Sequence, residues 1–307
     1  MVEVALDALD TEGRLPAAAD LDLLPTRRQV ALMAQQDMVA VAAVDAAGDQ
    51  IAEAVDAVAD RLRAGGRMFY VGAGTPGRLA VLDAAECPPT FGTDAGRVVA
   101  ILAGGASAAG AAREGAEDDA GAGRRDLAAH GVSAADVVVG ISASGRTPYV
   151  LAAIERAGHV GALTVGIANN PGSALAGAAD LAIEVRTGPE VLSGSTRLKA
   201  GTAQKLVLNT LSTLTMVALG HTYADLMIDV RAGNTKLRRR AERIVATATG
   251  ASAAEVTAAL DAAGGMVKVA VVALLAGVDT AEATRRLDTV GGHVRAAVGE
   301  EDTGHAR

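Results

Sequence analysis

Residues 134–170 read AADVVVGISASGRTPYVLAAIERAGHVGALTVGIANN. An apolar, β-branched run breaks at a turn rich in Ser and Gly, Pro148 opens a helical stretch, and a second apolar run follows at Ala162. Short continuous apolar runs on either side of a helix indicate two parallel strands, buried on both faces and joined by a crossover. The pattern repeats outward in both directions. RMFYVGAG (67–74), RVVAILAG (97–104) and DLAIEVRTG (180–188) are further runs of this kind beside 136–144 and 162–170. Five such strands predict a doubly wound α/β sandwich, whose ligands sit at the carboxyl ends of the strands.

The flanks are helical. Thr26 is placed to cap a helix through QVALMAQQDMVAVAAV, and DQIAEAVDAVADRLR (49–63) is a second helix ended by AGG. After Ser195 the strand pattern stops. Residues 195–220 read as one long, mostly apolar helix, and from about Asn234 charged helical segments alternate with Gly and capping Ser or Asp. The predicted organisation is an N-terminal arm (1–25), an α/β domain with its leading helices (26–233), a small helical bundle (234–300) and a tail (301–307).

Composition limits the function classes. The 307-residue chain is 50% apolar and 2% aromatic, so its core is built from Val, Leu, Ile and Ala. The net charge of −8 gives no global attraction to nucleic acid or an anionic membrane. A single cysteine forms no internal disulfide, and the histidines His130, His159, His221, His293 and His305 show no zinc spacing. No signal peptide is read at the N-terminus, and QKLVLNTLSTLTMVALGHTY (204–223) suits a buried helix better than a membrane span. The expectation is a cytoplasmic protein without metal or cofactor.

Several strings can carry chemistry. VGAGTPGR (71–78) has the strand–turn–helix layout that offers amides to an anion, but neither a Walker lysine nor full dinucleotide spacing. An ordinary strand–helix turn is its plain alternative. SASGRTPYV (142–150) gathers the hydroxyls of Ser142, Ser144 and Thr147 around Gly145, a cradle for a phosphate or else a simple helix cap. GPEVLSGSTRLKAGTAQK (188–205) brings Glu190, Arg197, Lys199 and Lys205, either as a surface loop or as a lid over the strand ends. In DAAECPPTFG (83–92), Pro88 and Pro89 are expected to end the helix and leave Glu86 at its C-terminus, where the macrodipole disfavours a carboxylate. Cys87 reads as packing, and REGAEDD (113–119) alone reads as a solvated acidic face.

Together these strings resemble the N-acetylmuramic acid 6-phosphate etherases, members of the sugar isomerase (SIS) group related to the glucokinase regulatory protein. The resemblance rests on GAGTPGRLAVLDAAECPPTFG, AGGASAAGAAREGAEDD, SASGRTPYV, GPEVLSGSTRLKAGTAQKLVLN and MIDVRAGNTKLRRRAERIV, and spans nearly the whole chain. It implies a SIS-type three-layer sandwich on the five-stranded sheet, with a ubiquitin-associated-like C-terminal bundle. It implies cleavage of the D-lactyl ether of the phosphosugar by elimination and rehydration, in cell-wall recycling. The family's proton-donor glutamate falls on Glu86. Its second acid/base falls on Glu117, with Glu114 as the neighbouring competitor. Gly74, Thr75, Ser142, Ser144, Gly145 and Thr147 fall on the phosphate-holding loops. A homodimer whose sites are completed across subunits is also implied, with no cofactor. A non-catalytic phosphosugar-binding regulator and a phosphosugar isomerase share the fold, but the isomerases lack the ECPPTFG string. One departure stands out: Pro76 replaces the usual serine, removing a hydroxyl and an amide from the anion cradle.

Overall fold

The computed structural model describes residues 9–111, 113, 115–230 and 235–300. The chain divides into two compact units, Met1–Ala85 with Ala95–Ser212, and Glu86–Asp94 with Thr213–Arg307.

The first unit is organised by one sheet of five parallel strands: β1 (Met68–Gly72), β2 (Val98–Leu102), β3 (Val137–Ser142), β4 (Leu163–Ala168) and β5 (Leu181–Glu184). Their order is β2-β1-β3-β4-β5, so the sheet reverses direction of winding between β1 and β3. Each strand falls inside the run that predicted it. Every residue of β1 and β3 is buried, as a sheet covered on both faces requires.

The helices follow the same logic. α1 (Thr26–Ala46) and α2 (Gly48–Arg63) precede the sheet. Thr26 is the first helical residue and Pro25 the cap position, whose carbonyl accepts the Arg28 and Gln29 N–H groups at 2.7 and 3.1 Å. α3 (Gly74–Phe91), α4 (Ala120–Ala129), α5 (Pro148–His159) and α6 (Ala174–Ala178) follow successive strands or loops, and α7 (Lys199–Ala218) closes the series. Among the described residues before α1, Asp10–Glu12, Pro16–Ala18 and Leu21–Leu23 form short 3-10 turns rather than an extended arm. Asp83 of α3 is buried and accepts hydrogen bonds from Tyr70 Oη of β1 (2.9 Å) and Ser212 Oγ of α7 (3.1 Å). Burial pushes its carboxyl above the usual carboxylate range, against the pull of those two bonds.

Pro88 and Pro89 do not end α3; the helix runs on to Phe91. Proline in a helix interior removes one bond and crowds the carbonyl four residues back, at about 3 kcal/mol. Here that cost is met by tertiary packing. Cys87 and Phe91 are 2% and 5% exposed, so the segment carrying the prolines is held by what it buries.

The second unit includes Glu86–Asp94 and the end of α7. It contains a small antiparallel hairpin, β6 (Thr222–Tyr223) and β7 (Leu226–Met227), which the sequence reading did not anticipate. Five helices follow: α8 (Thr235–Thr249), α9 (Ala253–Ala262), α10 (Val267–Ala276), α11 (Thr280–Thr289) and α12 (Val294–Val298). Their shared core includes Val245, Val256, Leu260, Val271 and Leu287. Ser252 and Glu255 form a capping box at α9, and Asp279 caps α11. Among the described residues no single helix is long and apolar enough to cross a membrane.

Candidate active site

The carboxyl ends of β1 and β3 supply two adjacent loops. In the first, Gly72 and Gly77 pack backbone against backbone. A Cβ on Gly77 would stand 2.6 Å from the Gly72 carbonyl oxygen and 2.4 Å from Leu102 Cδ1. This tight closure turns the chain directly from β1 into α3, at whose first residue Gly74 has a left-handed φ of 59°. Pro76 lies within the first turn of the helix, where a missing N–H breaks no helical bond. Thr75 is half-buried, with Cγ2 3.3 Å from where a Cβ on Gly201 of α7 would stand.

The second loop carries the predicted hydroxyl cluster. Ser142 Oγ lies 2.8 Å from Thr147 Oγ1 and 3.3 Å from Ser144 Oγ, and accepts the Gly145 N–H at 3.0 Å. The Arg146 N–H is directed to Ser144 Oγ at 3.2 Å. Gly145 has φ 67°, and a Cβ there would stand 2.3 Å from Ser173 Cβ. Three hydroxyls and the start of α5 thus converge in one turn, as an anion cradle requires.

This loop is fastened from behind. Asn170 Nδ2 donates to the Ala143 carbonyl and to Thr11 Oγ1, both at 2.9 Å, while the Thr11 N–H returns to Asn170 Oδ1 at 3.3 Å. Thr11 and Asn170 are 0% and 2% exposed. Asp10 pairs with Arg186 Nε at 2.6 Å, fastening the same stretch to the chain beyond β5. The N-terminal segment is therefore part of the loop's support, a role that its composition did not signal.

Glu117 lines a cavity of about 190 Å³ together with Ala73 and Gly74 of the glycine turn, Ala103, Ala108, Arg78 and Arg113. Its carbonyl accepts the Tyr149 N–H at 3.0 Å, which ties the Glu117 loop to the first turn of α5. The structure thus brings Glu117 to the glycine turn. Arg78 and Arg113 were not singled out in the sequence, although each borders a quoted string. Glu114 lies outside the described residues.

Glu86 belongs to the second unit and is exposed on α3. The residues after it are anchored there. Phe91 meets the edge of His221 at 6.5 Å between ring centroids, and a Cβ on Gly92 would stand 2.4 Å from the Asp229 carbonyl oxygen. The Asp229 carboxylate in turn receives His221 Nδ1 and Lys268 Nζ, each at 2.6 Å.

The 188–205 string is neither an ordinary surface loop nor a free lid at its charged centre. Glu190 is 1% exposed and accepts the N–H groups of Lys199 (3.1 Å) and Ala200 (2.9 Å), which caps α7. Burial pushes the Glu190 carboxyl upward; the Ala200 and Lys199 amides and the Lys199 charge oppose it. Lys199 is 2% exposed with Nζ on Gln36 Oε1 at 2.7 Å, and burial pulls its ammonium downward against the attraction of Glu190.

A doubly wound sheet in this strand order, with hydroxyl- and glycine-bearing loops at its carboxyl ends, is the frame of a SIS-type domain. Residues 50–158 match the glucokinase regulatory protein N-terminal SIS domain, and residues 121–214 match the SIS domain. The chain is 57% identical over 271 residues to the N-acetylmuramic acid 6-phosphate etherase of Streptomyces avermitilis, covering 88% of this chain and 87% of the relative. It is 58% identical over 267 residues to the etherase of Rubrobacter xylanophilus, covering 87% and 89%. It is 57% identical over 267 residues to that of Streptomyces coelicolor, covering 87% and 86%. The chain belongs to the N-acetylmuramic acid 6-phosphate etherase family.

Proposed function

We propose that this chain cleaves the D-lactyl ether of N-acetylmuramic acid 6-phosphate, giving N-acetylglucosamine 6-phosphate and D-lactate. The observation that carries this reading is Glu117 lining a cavity with the glycine turn, tied through Tyr149 to the hydroxyl loop, in a chain over half identical to named etherases. The hydroxyls of Ser142, Ser144 and Thr147, with Gly74, Thr75 and Gly145, hold the phosphate. The opened sugar carries an aldehyde at C1, which acidifies the C2 proton. A base takes that proton, the C2–C3 double bond forms, and the C3–O bond breaks as lactate leaves. Protonation of the departing oxygen completes elimination, and water then adds to the unsaturated aldehyde at C3. Glu86 is the proton donor to lactate and Glu117 the second acid/base group. This chemistry calls for no metal or redox group.

The test is D-lactate release from N-acetylmuramic acid 6-phosphate by the purified protein. Absence of lactate at high enzyme concentration refutes the etherase reading and leaves a binding regulator or an isomerase. In heavy-oxygen water the label belongs at C3 of the sugar product; label in lactate instead refutes elimination. Glu86→Gln is expected to lower kcat by about 100-fold or more, the range for a lost general acid. An unchanged rate removes Glu86 from that role.

The chain is further read as a cytoplasmic homodimer. The support is apolar surface on α1, where Val30 and Met38 are 57% and 66% exposed beside exposed Val39 and Val41. A monomer by sedimentation at micromolar concentration overturns this.

A further inference from the structure

Helix α7 connects with both loops of the proposed phosphate cradle. Gly201, in its first turn, faces the glycine turn, where Thr75 Cγ2 lies 3.3 Å from the position of an added Cβ. Gln204 follows three residues later, on the same face of the helix. Its Nε2 donates to Asn169 Oδ1 at 2.9 Å, just past the carboxyl end of β4. Asn169 in turn donates its backbone N–H to the Ala143 carbonyl at 3.0 Å, between Ser142 and Ser144 of the hydroxyl loop. One face of one helix thus reaches the turn after β1 directly and the loop after β3 through a single side chain.

The two side-chain amides have one orientation. Asn169 Nδ2 donates to the Val185 carbonyl at 3.1 Å, and a carbonyl oxygen only accepts. Asn169 Oδ1 must then face Gln204, which must present its NH2 group. Gln204 and Asn169 are 1% and 0% exposed. Gln204 Oε1 is buried with no hydrogen-bond partner among the described residues. A buried acceptor without a partner costs stability, and an apolar side chain of similar size carries no such cost. The amide at position 204 therefore serves geometry before packing: its bond goes to the residue that holds Ala143.

We propose that Gln204 is a positioning residue that sets the spacing of the two loops around a bound phosphate. Ser142, Ser144 and Thr147 approach the anion from one loop, and Gly74 and Thr75 from the other. An anion gripped by two loops needs their separation fixed to a fraction of an ångström. This rests on the placement of the phosphate in the etherase reading.

The test replaces Gln204 by Met and by Glu in the full chain. It measures the dissociation constant of inorganic phosphate by calorimetry, KM and kcat for lactate release, and the melting temperature. Gln204→Met removes the donor together with the unpartnered acceptor. It should weaken phosphate binding and raise KM by about fivefold, the loss of one hydrogen bond, with a smaller change in kcat. Gln204→Glu adds a dependence on pH. The introduced carboxyl, pushed by burial above its ordinary value of about 4.3, donates an O–H to Asn169 Oδ1 while protonated and has no donor once ionised. Phosphate affinity relative to the parent should therefore be near unity at about pH 5.5 and fall by about fivefold by about pH 8. A contact that serves only the fold lowers the melting temperature of either variant but leaves the phosphate constant parental at every pH, and that result overturns the proposal. Absence of phosphate binding by the parent overturns it too. If the parent binds phosphate but releases no lactate, the etherase reading falls and the phosphate constants still decide the role of Gln204. If the parent releases lactate and neither variant alters phosphate binding, the positioning role alone falls.

Discussion

Replacing Thr11 by valine tests whether the N-terminal segment serves the phosphate loop or only the fold. Valine fits the fully buried site but lacks the oxygen that accepts Asn170 Nδ2 at 2.9 Å. The amide of Asn170 then keeps its bond to Ala143 and has one N–H left buried without a partner. Such an orphaned donor costs about 1–3 kcal/mol. Ala143 stands between Ser142 and Ser144, so relaxation of Asn170 shifts the backbone that aims both hydroxyls. If about half of that cost reaches the bound state, KM rises roughly two- to twelvefold, since 1.4 kcal/mol is a factor of ten. The reacting groups are not themselves replaced, so the change in KM should exceed any change in kcat. Lactate release gives both constants, and inhibition by inorganic phosphate reports the loop directly. Thr11→Ser restores the acceptor and should restore KM. A variant with a lowered melting temperature but parental KM and phosphate inhibition refutes the reasoning and makes the contact purely structural.

Gly145→Ala forces a left-handed φ on alanine and drives its Cβ to 2.3 Å from Ser173 Cβ. Strain of about 1–2 kcal/mol and overpacking of about 1–3 kcal/mol should appear as a lower denaturant midpoint, with weakened phosphate inhibition. Pro76→Ser returns a hydroxyl and an amide to the first turn of α3 and should tighten inhibition by inorganic phosphate; an unchanged constant shows that this turn does not touch the anion. Asp136 is 2% exposed, and although burial pushes its carboxyl up, bonds from Arg67 and Ser133 outweigh burial and hold it below the usual range. Its contribution is therefore present above the unfolded value of about 3.9 and lost as pH falls through the lower folded value. Urea titrations of Asp136→Asn should show a smaller loss of stability below about pH 4 than the parent, and equal slopes refute the assignment.

The sheet was legible because burial on both faces leaves an unbroken apolar run, and 134–170 displays two such runs around one helix. The proline pair misled because the local rule is sound but small beside burial of Cys87 and Phe91, which depends on residues more than a hundred positions away. Glu190 and Lys199 read as charges of a surface loop or of a lid, since nothing local reveals that a carboxylate is spent on the first amides of its own following helix. The Thr11–Asn170 contact joins positions 159 residues apart and leaves no periodic trace. Arg78 and Arg113 went unremarked because an arginine ending a glycine turn or opening an acidic run has an ordinary solvent-facing explanation. The clustering of hydroxyls, by contrast, followed from the residues themselves, since Ser142, Ser144 and Thr147 fall within one short turn around Gly145 at a helix start. The roles of Glu86 and Glu117 came from resemblance rather than local chemistry.

The bond from the Tyr149 N–H to the Glu117 carbonyl joins the first turn of α5, which follows the proposed phosphate loop, to the loop that carries Glu117, the proposed second acid/base group. In the proposed reaction, grip on a part of the substrate that never reacts is thereby transmitted to a group that does. Intrinsic binding energy from the C6 phosphate is then available to order Glu117 at the moment of bond breaking, and a sugar ether without its phosphate forfeits turnover as well as affinity. Phosphorylation of the sugar would act as part of the catalyst, and not only as a handle for capture.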